Sequence, residues 1–293
     1  MLNKLSKIIL LVSILGSGCQ AMPTIAASKT PAPLATENIP FPIDSASPQA
    51  PSAEPSPVMA ELDPSSVAIQ GGALGEAHIA LVPEQPFDNT GGPLVRGLPA
   101  HIQILFGNQA SPLYYGEQSV LTIIPIEPYI QMWSDNGNPI VNTLFTAIQE
   151  LIKNPPVEAP HSQLPVLPLD AVQAVIDIAA QFRPLDTNLM QGYRFVGRLS
   201  QGINPVINAN LYYFYMGVSR DGEYIINMMV PVKSSALVDR IEDLPAVDND
   251  LVYSDYMQYM QSIRQRLNQQ TGSDFQPSLD DLDAVVKSLE WGW

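Results

Sequence analysis

Apolar residues recur along the chain with two spacings, every second position and every third or fourth, which divide it into strands and helices. Ala77-His78-Ile79-Ala80-Leu81-Val82 is a short apolar segment that reads as a strand. After the Gly91-Gly92-Pro93 turn, His101-Ile102-Gln103-Ile104-Leu105-Phe106 places Ile102 and Ile104 on one face of another. Residues 119–126 (SVLTIIPI) are apolar on both faces, the mark of a central strand covered from both sides, and Pro125 sets its end at a sheet margin. Helical spacing then takes over. Leu144, Ile148, Leu151 and Ile152 form one stripe over residues 142–153, ahead of the Asn154-Pro155-Pro156 stop. A proline-rich connection over 155–169 leads to Asp170, the expected N-cap of residues 171–181 (AVQAVIDIAAQ). There Val172, Val175, Ile176 and Ala179 predict a second helix, ended by Pro184.

Residues 192–199, 211–218 and 223–232 predict three more strands, the last two joined by Ser219-Arg220-Asp221-Gly222, whose Asp-Gly step is a hairpin signal. The middle strand sets Tyr212, Phe214 and Met216 on one face and Leu211, Tyr213 and Tyr215 on the other. Tyr256, Met260, Ile263 and Leu267 predict a polar helix over 253–269. Ser278 then caps a last helix over 279–290, with Leu282, Val285, Val286 and Leu289 as its core face. The expected fold is α+β, a central antiparallel sheet with flanking helices in a single domain over residues 75–290.

The N-terminal quarter has a different character. Lys4 and Lys7 precede the run Ile8 to Leu15, too short to span a bilayer but suited to the core of a signal peptide over residues 1–18. The following Leu15-Gly16-Ser17-Gly18-Cys19 resembles the lipobox of bacterial lipoproteins, with leucine one place further from the cysteine than usual. The resemblance implies that Cys19 becomes the first mature residue, with a thioether-linked diacylglycerol on its sulfur. The other reading is an ordinary secretory signal cut near Ala21 or Ala27. Residues 19–70 are rich in Pro, Ala and Ser, with Phe41 the one aromatic as far as Pro64, and predict a disordered tether. A docking ligand for a proline-recognising partner is the alternative.

Composition narrows the chemistry. With 14 Lys+Arg against 29 Asp+Glu, a net charge of −15 argues against nucleic acid as a partner, because binding it needs a basic surface. One cysteine rules out an intrachain disulfide and a Cys-based zinc cluster. His78, His101 and His161 stand far apart, so neither a metal site nor a cofactor is expected, and Gly-x-Ser-x-Gly and phosphate-binding glycine loops are missing. Asp280, Asp281 and Asp283 fall in the first turn of the last helix, where its dipole favours negative charge. Asp248-Asn249-Asp250 with Asp255 offers weak Ca²⁺ ligands without the glycine and terminal glutamate of an EF-hand, and Asp135-Asn136-Gly137-Asn138 reads as a turn. The remaining candidates are Tyr193, Tyr212, Tyr213, Tyr215 and Tyr224 on three neighbouring strands. Several of them on one sheet face would present hydroxyls above a flat apolar surface suited to glycan rings or a partner protein, unless the domain's own helices cover it.

Gly192-Tyr193-Arg194-Phe195, Asn204-Pro205-Val206-Ile207-Asn208, Leu211-Tyr212-Tyr213-Phe214, Gly217, Asp221-Gly222, Tyr224 and Val230-Pro231-Val232, with the closing Leu282 to Leu289, resemble a family of uncharacterised exported bacterial lipoproteins. The family has an exported N-terminus, a variable tether and an α+β region. More loosely, the hairpin and terminal helix are similar to PsbP-like domains, sandwiches that serve mainly in binding or assembly. The resemblances imply a lipid-anchored, extracytoplasmic protein of the cell envelope that meets the membrane through its anchor, and the poor catalytic inventory favours a non-enzymatic binding or assembly role toward an envelope protein or glycan. The alternative is a secreted hydrolase of envelope polymers, which would need two acids at fixed separation in a cleft.

Overall fold

The computed structural model describes residues 62–90, 95–107, 118–157, 164–168 and 175–292. The expected signal peptide, Cys19, the tether as far as residue 61, His161 and Asp170 lie outside them. All described residues belong to one unit running from Pro57 to Trp293.

Seven strands make one sheet: β1 (Ala77–Val82), β2 (His101–Phe106), β3 (Val120–Pro125), β4 (Val175–Pro184), β5 (Met190–Ser200), β6 (Tyr212–Ser219) and β7 (Tyr224–Pro231). Their order is β1-β2-β3-β7-β6-β5-β4, and every pairing is antiparallel. Two meanders therefore meet at the β3–β7 pair, where Ile124 lies opposite Ile225 and Thr122 opposite Asn227. After β3 come α1 (Ile126–Ser134) and α2 (Ile140–Lys153); after β7 come α3 (Ala246–Ser254), α4 (Tyr256–Asn268) and α5 (Leu279–Lys287).

The helices fall on opposite faces, giving three layers. Tyr129, Trp133, Val141, Phe145 and Ile148 of α1 and α2 pack with Ile124, Phe195, Tyr212, Phe214 and Met216 of the sheet. On the other face Tyr259, Ile263, Leu267, Leu282, Val285 and Val286 of α4 and α5 pack with Tyr213, Tyr215, Ile226 and Met228. The alternation read along β6 is the one observed, because an interior strand sends successive side chains into the two cores.

Two elements were hidden by their neighbours. Helix α1 starts directly at the end of β3, with Ile126, Tyr129 and Trp133 buried and Pro128 in the first turn, where its missing N–H costs nothing. The expected helix over 253–269 is observed as α4 from Tyr256, and residues 253 and 254 end a separate helix, α3, that the spacing does not mark. Asp255 stops α3 and caps α4, accepting the Gln258 N–H at 3.0 Å. Ser278 caps α5 as expected, accepting the Asp281 N–H at 3.1 Å, and Leu289 is buried just beyond the helix end.

The expected helix over 171–181 is corrected: its described part, from Val175 on, is the edge strand β4. On so short a run of Val, Ile and Ala the two periodicities coincide, and β-branched residues settle into a strand when a ladder partner is present. Bulges at Asp177 and at Gln181–Phe182 shift its register against β5 and break the simple alternation that would have marked a strand. The domain boundary also moves. Val67 is buried, and Val67–Ala68 pairs antiparallel with Glu290–Trp291, so packed structure begins within the range expected to be tether. Among the described residues no helix is long and apolar enough to cross a membrane.

Candidate functional site

The five tyrosines do not form a binding face. Tyr193 and Tyr212 point into the α1–α2 core, while Tyr213, Tyr215 and Tyr224 point into the α4–α5 core, and none is more than 8% exposed. The reason is position: β5, β6 and β7 are interior strands with helices over both faces. Tyr193 packs against Phe182 at 5.3 Å between ring centres, and its hydroxyl donates to the Pro165 carbonyl at 3.1 Å. Tyr224 meets Trp291 edge-on at 4.5 Å. Burial pushes the phenols of Tyr193, Tyr213 and Tyr215 well above their ordinary range, so they stay protonated.

The ionisable groups that the fold brings together are others. Arg194 and Arg198 share the α4–α5 face of β5, each 1% exposed. Arg194 Nε lies 3.4 Å from Asp283 Oδ1, and the Tyr213 hydroxyl donates to the same oxygen at 3.0 Å. Arg194 Nη1 also donates to the Gln181 carbonyl. Arg198 grips Asp177 through Nε at 2.9 Å and Nη2 at 2.6 Å, and donates to the Pro205 carbonyl at 2.6 Å and the Tyr256 hydroxyl at 2.5 Å. Tyr256 in turn donates to Asp177 Oδ2 at 3.0 Å, and the Tyr259 hydroxyl accepts the Val206 N–H at 2.8 Å. On the outer side Arg266 donates to Asp248 at 2.8 Å, joining α4 to α3.

Electrostatics separates the two arginines. For Arg194 and Asp283 burial is the largest influence and wins over their mutual attraction, so the guanidinium is shifted down and the carboxyl up. For Arg198 burial is again largest, but the bonds to Asp177 together outweigh it and raise its pKa. The seam is therefore one well-formed pair beside one poorly compensated pair, and each fastens a helix to the sheet: α5 through Asp283, α4 through Tyr256.

The remaining candidates resolve individually. Asp248 turns to Arg266 and Asp255 caps α4, so the residues 248–255 do not converge on a cation. Among the described residues no group of three or more His, Cys, Asp or Glu stands together as a metal site. His78 Nε2 is 3.1 Å from the Gly107 carbonyl and His101 Nδ1 is 2.9 Å from that of Pro99; burial pushes the His101 pKa down, which keeps its ring neutral. Thr122 Oγ1 and Asn227 Nδ2, opposite each other on β3 and β7, are buried without a partner.

Outside, large apolar side chains stand in solvent on these two helices: Val247 at the start of α3 is 65% exposed, and Tyr253 and Met257 at the α3–α4 corner are 75% and 76% exposed. The helix spacing that predicts the buried stripe of α4 leaves Met257 off it, a signal that was present in the sequence. No family model, curated protein or solved structure matches the chain.

Proposed function

We propose that the chain is a lipid-anchored protein of the cell envelope that acts by binding, with the α3–α4 corner as its contact surface. The observation that carries this reading is the exposure of Tyr253 and Met257, on either side of the Asp255 break. Aromatic and methionine side chains are enriched in interface cores, and two of them stand exposed beside one helix break. The buried carboxylates, by contrast, are committed to arginines that hold helices in place. The anchor rests on the Leu15–Cys19 pattern, and the partner class is an envelope protein or glycan.

The test uses the full chain with its own N-terminus, expressed in a bacterium. It should fractionate with membranes and carry acyl chains on Cys19, and Cys19→Ser should abolish both. Tyr253→Ser with Met257→Ser should leave folding intact, since neither side chain is buried, and should lower retention on isolated envelope material at least tenfold. Release of soluble fragments from purified cell-wall glycan by the wild-type chain would overturn the binding reading in favour of a hydrolase.

A further inference from the structure

The two edges of the sheet are treated differently. At β4 the ladder is broken by two bulges, and Gln181 adopts a left-handed conformation (φ 55°). Its N–H is taken by the Asn268 side chain at 2.7 Å, and its amide donates to the Leu267 and Gln270 carbonyls at 2.8 Å each. The last residue of β4 is Pro184. Those are devices that stop a further strand from adding. At β1 none is present. Ala77–Val82 runs in unbroken register with β2, without proline, bulge or charge, and His78, Ala80 and Leu81 are exposed.

The backbone of β1 has a defined outer side. The Gly107 N–H donates inward to the Glu76 carbonyl at 2.8 Å, while the Phe106 N–H points the other way, to Ser119 on the β3 side. Hydrogen-bonding direction alternates along an antiparallel pair, so Glu76, His78, Ala80 and Val82 face β2, and the N–H and C=O groups of Ala77, Ile79 and Leu81 face away. Among the described residues no strand or loop takes these groups up.

We propose that β1 is the interface of a homodimer, in which two copies pair antiparallel about a twofold axis at Ile79 and join their sheets into one. The register follows from the outer groups. Outward residues must meet outward residues, and only an axis at Ile79 uses all three, placing Ile79 against Ile79 and Ala77 against Leu81. Pro83, without an N–H, ends the ladder. Side chains agree with this register. Leu81, 47% exposed, covers the small Ala77 of the other copy, and His78 lies opposite Ala80. Glu76 lies opposite Val82, so two copies of a chain of net charge −15 meet here without an acid facing an acid. That self-complementarity is why the occupant is a second copy.

The test is register-specific cross-linking in the full chain carrying Cys19→Ser, which removes the only other thiol. Opposed Cα atoms in a hydrogen-bonded pair are about 5.5 Å apart, within disulfide range. Ile79→Cys should therefore oxidise to a covalent dimer. Ala77→Cys and Leu81→Cys should each stay uncoupled alone and couple when mixed. Sedimentation should show a concentration-dependent dimer, weakened at least tenfold by Leu81→Asp, a change at an exposed position that the fold tolerates. A chain that stays monomeric to about 100 µM, coupling of Leu81→Cys to itself, or a dimer unaffected by Leu81→Asp would each overturn the proposal.

Discussion

The sharpest consequence of the buried seam concerns Asp283. Replacing it with leucine removes the carboxylate 3.4 Å from Arg194 Nε and the acceptor of the Tyr213 hydroxyl, while Arg194 stays 1% exposed with the Gln181 carbonyl as its remaining hydrogen-bond partner. A buried charge stripped of its partner typically costs about 3–5 kcal/mol. Against a typical domain stability of about 5–15 kcal/mol that is a large fraction. For a unit of this size it corresponds to a fall in Tm of about 6–20 °C. The double change Arg194→Met with Asp283→Leu should recover most of the loss, because burial outweighs attraction at both partners and the pair adds little beyond what apolar groups would supply. Urea and thermal unfolding followed by circular dichroism would measure both. A single-variant cost below about 1 kcal/mol, or a double variant no more stable than Asp283→Leu, would refute the reasoning.

Three further expectations follow from named contacts. Asp283 has its carboxyl pKa raised above 3.8 by burial, against the opposing pull of Arg194, Tyr213, Lys287 and Arg183, so the folded state takes up a proton more readily than the unfolded one. Its contribution is then present below 3.8 and lost as pH rises through the raised value; the Tm of wild type minus that of Asp283→Asn should fall from about pH 4 to pH 7, and a rising difference would contradict the assignment. Tyr213→Phe should cost about 1.5–3 kcal/mol by removing a bond to a carboxylate, while Tyr215→Phe should be neutral or stabilising because that hydroxyl is buried without a partner; equal losses in urea melts would count against the described hydrogen bonding. At Gln181, the glycine variant should be more stable than the alanine variant by about 1 kcal/mol, since both lose the bonds to the end of α4 but glycine alone adopts φ 55° without strain; the reverse order in thermal melts would contradict the left-handed geometry.

How far the fold could be read depended on how many neighbours each segment needed. The strand β6 was legible because an interior strand is apolar in both phases and its hairpin partner follows after Asp221-Gly222. Helix α5 was legible because Ser278 and the Leu282-Val285-Val286 stripe are local. The strand β4 was not. Its identity is decided by pairing with β5, with a bulge at Asp177, whose carboxylate accepts from Arg198, and both are properties of the assembled sheet. The break at Asp255 was similarly obscured, since a capping aspartate inside a continuous helical pattern looks like one more polar residue until the chain turns there.

The candidate site was misplaced for a related reason. Aromatic residues on predicted strands offer a surface only where no helix covers them, and the same pattern that makes those strands central also buries them. The informative positions were the charged ones that occupy apolar phases. Asp283 follows Leu279 by four and Leu282 by one, which puts it on the inward face of α5 rather than among the solvent-facing acids Asp280 and Asp281. Arg194 and Arg198 alternate with Val196 on the β5 face that meets Tyr213 and Tyr215. A charge in a core phase must find a partner inside, so three such residues on two elements already imply that α5 packs on β5 with Asp283 against an arginine. Which arginine it meets is settled by Asp177: the bulge carries that carboxylate to Arg198, leaving Arg194 to Asp283, and the weaker of the two pairs is the one that holds the last helix.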